Sequence, residues 1–201
     1  MEQNKSNYMV KSTGVKKKTA IFISGNGSNM KNLIRFSKTK NSPIIVDFVL
    51  SNNKKANGIT YVKKTKIHFK IFDFKERDNH EKKILDILEK RKIQLICLAG
   101  FMKILSRNFI KKFKGKILNI HPSLLPKYKG LNTHERVILN NEKFSGCTVH
   151  IVNERLDSGK IILQKQVRIN KKDNPETLSK KILKQEHLLY PKALKKMFSK
   201  F

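Results

Sequence analysis

Short apolar runs that are almost continuous recur along the first 120 residues of the chain. Five of them contain many β-branched residues and have the length of strands: 19–24, 44–50, 67–72, 93–99 and 116–120. A run that is apolar at consecutive positions is typical of a strand covered on both faces. The pattern therefore predicts a parallel sheet between two layers of helices.

The segments between these runs have helical spacing. In residues 79–92, one side of the predicted helix carries His80, Ile84, Ile87 and Leu88, and the other positions are mostly charged. Alternation of such helices with buried strands predicts an α/β fold with a doubly wound, mostly parallel sheet.

The pattern changes after Gly146. Two strand-like runs, 147–152 and 161–169, are joined only by residues 153–160, a segment too short to contain a crossover helix. We therefore predict an antiparallel C-terminal hairpin at one side of the sheet.

A final helix is predicted over residues 176–198, because Asn174 and Pro175 are typical of a helix start. Pro191 is expected to kink or break this helix. One stripe of the helix consists of Leu178, Ile182, Gln185 and Leu189.

These elements form one predicted domain, residues 18–201, since 201 residues suffice for one sizeable core. Residues 1–17 are interpreted as a flexible basic extension. They lack the apolar centre of a signal peptide, and no apolar run approaches the roughly 18 residues of a membrane span. We therefore expect a cytoplasmic protein with no membrane partner, and either a monomer or a weak homodimer.

The charge is strongly positive, with 45 Lys and Arg against 15 Asp and Glu and a formal net charge of +30. Such a charge is typical of proteins that meet nucleic acid, anionic membranes or anionic small molecules. The lysines are spread along the whole chain rather than gathered in one arm, which favours solvated faces and leaves a polyanion surface as the alternative. We expect no specific nucleic-acid partner.

Cys97 and Cys147 both lie inside apolar runs. This context favours buried free thiols over a disulfide. Because no cluster of ligands accompanies them, no metal site is predicted.

The first strand is followed by the turn "ISGNGSNM", residues 23–30. Two glycines allow a tight turn and a close approach to a ligand, while Ser28 or Asn29 can cap the next helix, whose N-terminus favours a phosphate. The turn lacks the Lys of a P-loop and the third glycine of a dinucleotide site. A plain glycine-rich turn is the alternative.

The stretch "LNIHPSLLPKYKG", residues 118–130, follows the fifth run at the carboxyl end of a predicted strand, where open α/β sheets place their ligands. Asn119 can donate to a developing oxyanion, and His121 can exchange a proton near neutral pH. These groups suit acyl transfer without a covalent enzyme intermediate. The alternative is a histidine that only satisfies a structural hydrogen bond.

Asp157, in "ERLDSGK", is a further candidate. A carboxylate at such a place is usually a turn former. It is also a possible partner for His121, because a nearby carboxylate raises the pKa of an imidazole and orients its ring.

Five segments together resemble the phosphoribosylglycinamide formyltransferase family in their order and spacing. They are "ISGNGSN" (23–29), "LAGFMKILS" (98–106), "NIHPSLLPKYKG" (119–130), "GCTVHIV" (146–152) and "LDSGKII" (156–162). The resemblance covers about residues 18–195. It implies a Rossmann-like formyltransferase fold and transfer of a formyl group from the co-substrate 10-formyltetrahydrofolate to the amine of 5-phosphoribosylglycinamide, without a metal.

The resemblance also implies roles for individual residues. The catalytic set would be Asn119, His121 and Asp157, with His121 as proton donor and Asp157 raising its pKa. The ribotide phosphate would be held by Gly27, Ser28 and Asn29, and Glu186 would contact the ribotide. The folate site would be lined by Arg77, Met102, Lys103, Ile104, Leu105 and Asn119.

The chain departs from the family pattern at three of these positions. Lys103 stands where the family often has Arg, which keeps the charge and loses the bidentate fork. Ser158 stands where it often has Gly, and Asn132 where it often has His.

Two related enzyme classes are rivals. Methionyl-tRNA formyltransferase shares the Asn-His-Pro-Ser-Leu-Leu-Pro core and would make use of the charge, but it carries an extra C-terminal tRNA-binding domain. A formyltetrahydrofolate hydrolase would carry an additional N-terminal regulatory domain, which the roughly 18 residues before the first strand are too few to form. A nucleic-acid-binding module without catalysis would show basic residues interleaved with aromatic ones, which this sequence does not.

Overall fold

The computed structural model describes residues 15–198 and contains a seven-stranded sheet flanked by helices. The strands are β1 (Lys17–Ile23), β2 (Ile44–Ser51), β3 (His68–Ile71), β4 (Leu95–Leu98), β5 (Lys116–His121), β6 (Phe144–Ile151) and β7 (Ile161–Arg168). The helices are α1 (Ser28–Ser37), α2 (Asn57–Lys63), α3 (Arg77–Lys90), α4 (Arg107–Lys112), α5 (Thr133–Leu139) and α6 (Pro175–Phe198).

The sheet has the order β3-β2-β1-β4-β5-β6-β7. Neighbouring strands from β3 to β5 are parallel, while β6 pairs antiparallel with both β5 and β7. The predicted doubly wound α/β fold with an antiparallel C-terminal hairpin and a final helix is confirmed.

The sheet separates two apolar cores. Ile21 and Ile23 of β1 face a core that includes buried residues of α1, α2, α5 and α6. Ala20 and Phe22 alternate with them and face a second core against α3 and α4. Burial on both faces explains why the strands are apolar at consecutive positions.

The N-terminal boundary differs slightly from the prediction. Most of the predicted extension, residues 1–14, lies outside the described residues. Lys17, however, begins β1 and pairs with Ile44, and the Lys16 Nζ atom donates to the Thr39 carbonyl at 3.1 Å. The sheet therefore starts before residue 18.

Helix α6 continues through Pro191, so of the two predicted outcomes, a kink or a break, the break is wrong. Pro191 has no N–H to donate to the carbonyl of His187, and that carbonyl accepts instead from the Asn32 Nδ2 atom of α1 at 2.6 Å. The predicted stripe also needs correction: Gln185 is only half-buried, whereas Glu186 is buried.

Cys97 and Cys147 are buried and free, as predicted. Burial raises the pKa of each thiol to about 12. Within residues 15–198, no helix is both long and apolar enough to cross a membrane.

Candidate active site

A cleft of about 710 Å³ opens at the carboxyl ends of the parallel strands. The connection from β1 to β2 and the connection from β4 to β5 run in opposite directions along the sheet, because β2 and β5 lie on the outer sides of the adjacent strands β1 and β4. Open α/β sheets bind ligands at such a point. The turn after β1, the segment after β4, the end of β5 and the connection between β6 and β7 all line this cleft.

The turn after β1 forms one end of the cleft. Gly27 is the N-cap of α1 in a left-handed conformation, with φ of 67°, and an added Cβ would lie 3.0 Å from the Gly58 Cα atom. Both observations require glycine. No side chain caps the helix, so the predicted cap by Ser28 or Asn29 is wrong. The helix N-terminus remains directed at the cleft, as an anion site needs.

The Asn29 side chain joins this turn to α6. Its Nδ2 atom donates to the Glu186 carboxylate at 2.6 Å, and its Oδ1 atom is buried without a hydrogen-bond partner. Burial raises the pKa of Glu186 to about 7, although the Asn29 hydrogen bond opposes this rise. Asn29 and Glu186 both line the cleft beside the glycine-rich turn, and the Glu186 carboxyl group titrates near neutrality.

Strand β5 positions two of the predicted catalytic residues. Asn119 and His121 are two residues apart, so their side chains leave the same face of the strand. Asp157 reaches them from the connection between β6 and β7. The His121 Nδ1 atom lies 3.4 Å from Asp157 Oδ2, and the Asn119 Nδ2 atom lies 3.5 Å from Asp157 Oδ1.

Two backbone features hold Asp157 in this position. Its carboxylate accepts a hydrogen bond from the Gly130 N–H at 2.9 Å, which ties it to the loop after β5. Two residues further on, Gly159 packs so closely on β6 that an added Cβ would lie 1.7 Å from the Ile151 carbonyl oxygen. Asp157 itself has φ of 44°, a left-handed conformation that Asp tolerates better than most residues.

The hydrogen bonds and the burial of His121 act on its protonation in different directions. Its Nε2 atom lies 2.8 Å from the Tyr128 carbonyl, which can only accept, so Nε2 carries a proton in every charge state. Burial, with smaller contributions from His150 and Arg136, lowers the pKa of His121 below 6.5. Asp157 and the Tyr128 carbonyl act in the opposite direction, so the predicted effect of Asp157 is present but does not set the net shift. Burial was invisible in the sequence.

Asp157 is the ionised partner in this cluster. Burial alone would raise its pKa, but His150, the Gly130 N–H and the imidazole of His121 together hold the pKa below its usual value. The cluster at rest thus combines a carboxylate with an imidazole that favours the neutral form.

His150 completes the cluster, and sequence reasoning missed it. It lies opposite Asn119 in the antiparallel pairing of β5 with β6, with its Nε2 atom 3.2 Å from Asn119 Nδ2 and 3.6 Å from Asp157 Oδ1. The sequence shows only that His150 lies in the strand-like run 147–152. Its contact with Asn119 can be inferred only when the pairing register of β5 and β6 is known.

The segment after β4 forms an apolar wall. Met102 and Ile104 are exposed, and across the cleft so are Leu131 and Leu156. Exposed apolar groups that converge on one cleft are typical of a site for an apolar ring system.

The other predicted folate residues divide into two groups. Lys103, Leu105 and Asn119 line the cleft with Met102 and Ile104. Arg77 is not among the residues that line the cleft: it is the first residue of α3, is half exposed, and its Nε atom lies 3.9 Å from Asp78 Oδ1.

The three departures from the family pattern lie at or near the cleft. Lys103 and Asn132 line it, and Ser158, next to Asp157 in the chain, accepts a hydrogen bond from the Lys129 Nζ atom.

Within residues 15–198, no group of three or more His, Cys, Asp or Glu side chains is arranged so that it could hold a metal ion.

Residues 17–194 match the family described as formyl transferase, and the chain belongs to this family. Phosphoribosylglycinamide formyltransferase from Haemophilus influenzae is 41% identical over 182 residues, which are 89% of this chain and 86% of that protein. The crystal structure of phosphoribosylglycinamide formyltransferase from Brucella melitensis superposes with a TM-score of 0.86 at 42% identity, covering 93% of this chain and 98% of that one.

A longer relative matches equally well. The trifunctional purine biosynthetic protein adenosine-3 of Gallus gallus is 42% identical over 182 residues, and this chain spans 89% of its own length but only 18% of that protein. The similarity thus covers nearly all of two phosphoribosylglycinamide formyltransferases and one part of the trifunctional protein.

Proposed function

We propose that the protein transfers a formyl group from 10-formyltetrahydrofolate to the amine of 5-phosphoribosylglycinamide in purine biosynthesis. The observation that carries this proposal is the union of a glycine-rich helix N-terminus, an apolar wall and the Asn119, His121 and Asp157 cluster in one cleft. Its relatives of similar length bear the name of this activity.

The two ends of the cleft suit the two substrates. Gly27, Ser28 and Asn29 would hold the ribotide phosphate at the N-terminus of α1, and Glu186, which lines the cleft beside Asn29, would contact the ribotide. Met102, Lys103, Ile104 and Leu105 would line the folate site with Asn119. Arg77 remains part of this proposed site, as a half-exposed residue beside Asp78 that does not line the cleft.

When bound, the folate supplies a formyl group that its own nitrogen activates. Asn119 donates an N–H to the formyl oxygen as the amine attacks and negative charge develops there. That charge raises the pKa of the neighbouring His121, which can then hold a proton in the site, and Asp157 stabilises the resulting imidazolium. One carbon–nitrogen bond forms and one breaks, and the proton lost by the amine ends on the departing folate nitrogen, through water ordered by Asp157.

The remaining proposals concern partners and place. We propose a cytoplasmic monomer or weak homodimer that acts on small molecules, without a specific nucleic-acid partner and without a membrane.

The direct test is an assay of formyl transfer with purified protein and 10-formyltetrahydrofolate. Glycinamide ribotide, charged initiator tRNA and water alone would be compared as acceptors with one enzyme batch. We expect rapid formylation of the ribotide, and little formylation of the tRNA or hydrolysis of the folate. Efficient tRNA formylation with an inert ribotide would overturn the proposal, and so would hydrolysis without an acceptor.

A further inference from the structure

We propose that His150 is a positioning residue that accepts one N–H of the Asn119 carboxamide and so orients it with the second N–H, rather than its oxygen, toward the reacting group. The role of Asn119 in this inference rests on the proposed function, whereas the contact itself does not.

The Nε2 atom of His150 lies 3.6 Å from Asp157 Oδ1, too far for a hydrogen bond, so the tautomer of the ring follows from its two shorter contacts. The Nδ1 atom lies 3.1 Å from the backbone carbonyl of Ile151. A carbonyl only accepts hydrogen bonds, so the proton of the neutral imidazole is on Nδ1. The Nε2 atom is then an acceptor, and it lies 3.2 Å from the Asn119 Nδ2 atom, which donates to it.

This arrangement selects one of the two orientations of the Asn119 carboxamide. The Nδ2 atom faces two acceptors, His150 Nε2 at 3.2 Å and Asp157 Oδ1 at 3.5 Å. Rotation of the carboxamide by half a turn would direct the Oδ1 atom of Asn119 at both acceptors and leave them without a donor. The contact with Asp157 is long, so a substrate oxygen with developing charge can replace it as the second partner of Nδ2.

The position of His150 suits a fixed support. Its side chain is 1% exposed, and the antiparallel pairing of β5 with β6 places it directly opposite Asn119. Facing side chains on two paired strands are held within a narrow range of distances. His150 is thus rigid, buried and outside direct reach of solvent, which is what a support for a hydrogen-bond donor requires.

The first test compares two substitutions of His150. In His150→Gln, the longer side chain can place an amide oxygen near the former Nε2 atom and keep the acceptor for Asn119. In His150→Asn, the shorter side chain can still donate to Ile151 but cannot reach Asn119. We expect His150→Asn to lower kcat about 100-fold, the effect of losing an oxyanion donor, with KM for both substrates within about twofold. We expect His150→Gln to recover most of that loss.

A double-substitution cycle distinguishes positioning from a general effect on folding. If His150 acts through Asn119, adding His150→Asn to Asn119→Ala should lower kcat by less than about twofold further. Full additivity of the two effects, or equal losses in His150→Gln and His150→Asn, would overturn the proposal. Circular dichroism and thermal unfolding of each variant check that the compared proteins are folded.

A second measurement needs no substrate. Nuclear magnetic resonance of the uniformly ¹⁵N-labelled wild-type protein reports the His150 tautomer and detects coupling across the N–H···N bond from Asn119. We expect an unprotonated Nε2 atom coupled to the Asn119 Nδ2 atom. A proton on Nε2 would overturn the positioning contact, whatever the enzyme does. An inactive wild-type protein with the contact intact would instead refute the proposed function alone.

Discussion

Asp157 is the residue that connects the members of the site. Its carboxylate accepts from the Gly130 N–H and lies within 3.6 Å of nitrogen atoms on both His121 and His150. A single side chain thereby joins the loop after β5, strand β5 and strand β6. Its substitution should affect chemistry more than stability, because the sheet pairing of these elements does not depend on it.

The first prediction concerns His121→Ala and Asp157→Asn. Both variants should keep the fold and lose roughly 10²- to 10⁴-fold in kcat, since each removes a group that acts where charge develops. Steady-state kinetics with glycinamide ribotide measure the loss. His68→Ala and Asp86→Asn, at exposed positions on β3 and α3, are matched controls and should be close to wild type. Near-normal turnover in both site variants would contradict the assignment.

The second prediction concerns the pH dependence of stability. Burial raises the pKa of Glu186 from 4.5 to about 7, so the folded state binds this proton more tightly than the unfolded state. The Glu186 contribution is therefore fully present below pH 4.5 and is lost as the pH rises to about 7, by at most about 3 kcal/mol.

Glu186→Gln should remove this dependence, because its side-chain oxygen can still accept from Asn29 and carries no charge. Urea denaturation at about pH 5 and about pH 8 should show a smaller difference between the two pH values for the variant than for wild type. An unchanged difference would show that Glu186 has no raised pKa.

At the scale of elements, α1 and α6 are joined by a hydrogen bond to a backbone carbonyl of α6 that has no partner within its own helix. Because Pro191 has no N–H, the His187 carbonyl is available to the Asn32 side chain of the neighbouring helix. This contact allows the proline to remain inside a continuous helix without an unsatisfied carbonyl. It also fixes the helix that carries Glu186 against the helix that carries Asn29.

The third prediction tests this contact. Asn32→Ala should lower the free energy of unfolding by about 1–2 kcal/mol, the cost of leaving a partly buried carbonyl without its partner. In a Pro191→Ala background the restored N–H can donate to the His187 carbonyl, so the same substitution should cost less than about 0.5 kcal/mol. Chemical denaturation of the four proteins measures the difference. Equal costs in the two backgrounds would mean that Pro191 and Asn32 are not linked.

At the scale of the whole molecule, the charge of +30 produces a positive field around the cleft that we propose binds anionic substrates. Lys103 and Arg155 line the cleft, but so do Glu135 and Glu154, so the local charge is mixed. Attraction of the proposed anionic substrates would therefore come mainly from lysines spread over the surface. A diffuse field of this kind increases the rate of encounter and leaves the chemical step unchanged.

The fourth prediction follows from this field. The value of kcat/KM for the ribotide should fall as ionic strength rises, because salt screens exposed charges, while kcat should change little. Binding of RNA should be weak, independent of sequence, and lost between low and physiological salt. A salt series of steady-state kinetics beside an RNA titration measures both. A parallel fall of kcat, or RNA binding that persists at physiological salt, would contradict this interpretation.

The sequence by itself determined the order of elements and the chemical types at the site. The periodicity of apolar residues shows which residues a strand or helix buries. Asn119, His121 and Asp157 lie in segments that resemble the formyltransferase family, so they could be named as site residues from the sequence. The fold follows from such local patterns, since each strand is covered on both faces and each long connection is helical.

Only the tertiary structure decided how those groups act. His150 meets Asn119 through strand register, and Asn29 meets Glu186 across 157 positions of the chain. Burial sets the direction of the His121 and Glu186 pKa shifts, and burial is a property of the assembled cleft. Contacts between distant residues and exclusion of water depend on how the elements pack, and local sequence contains neither.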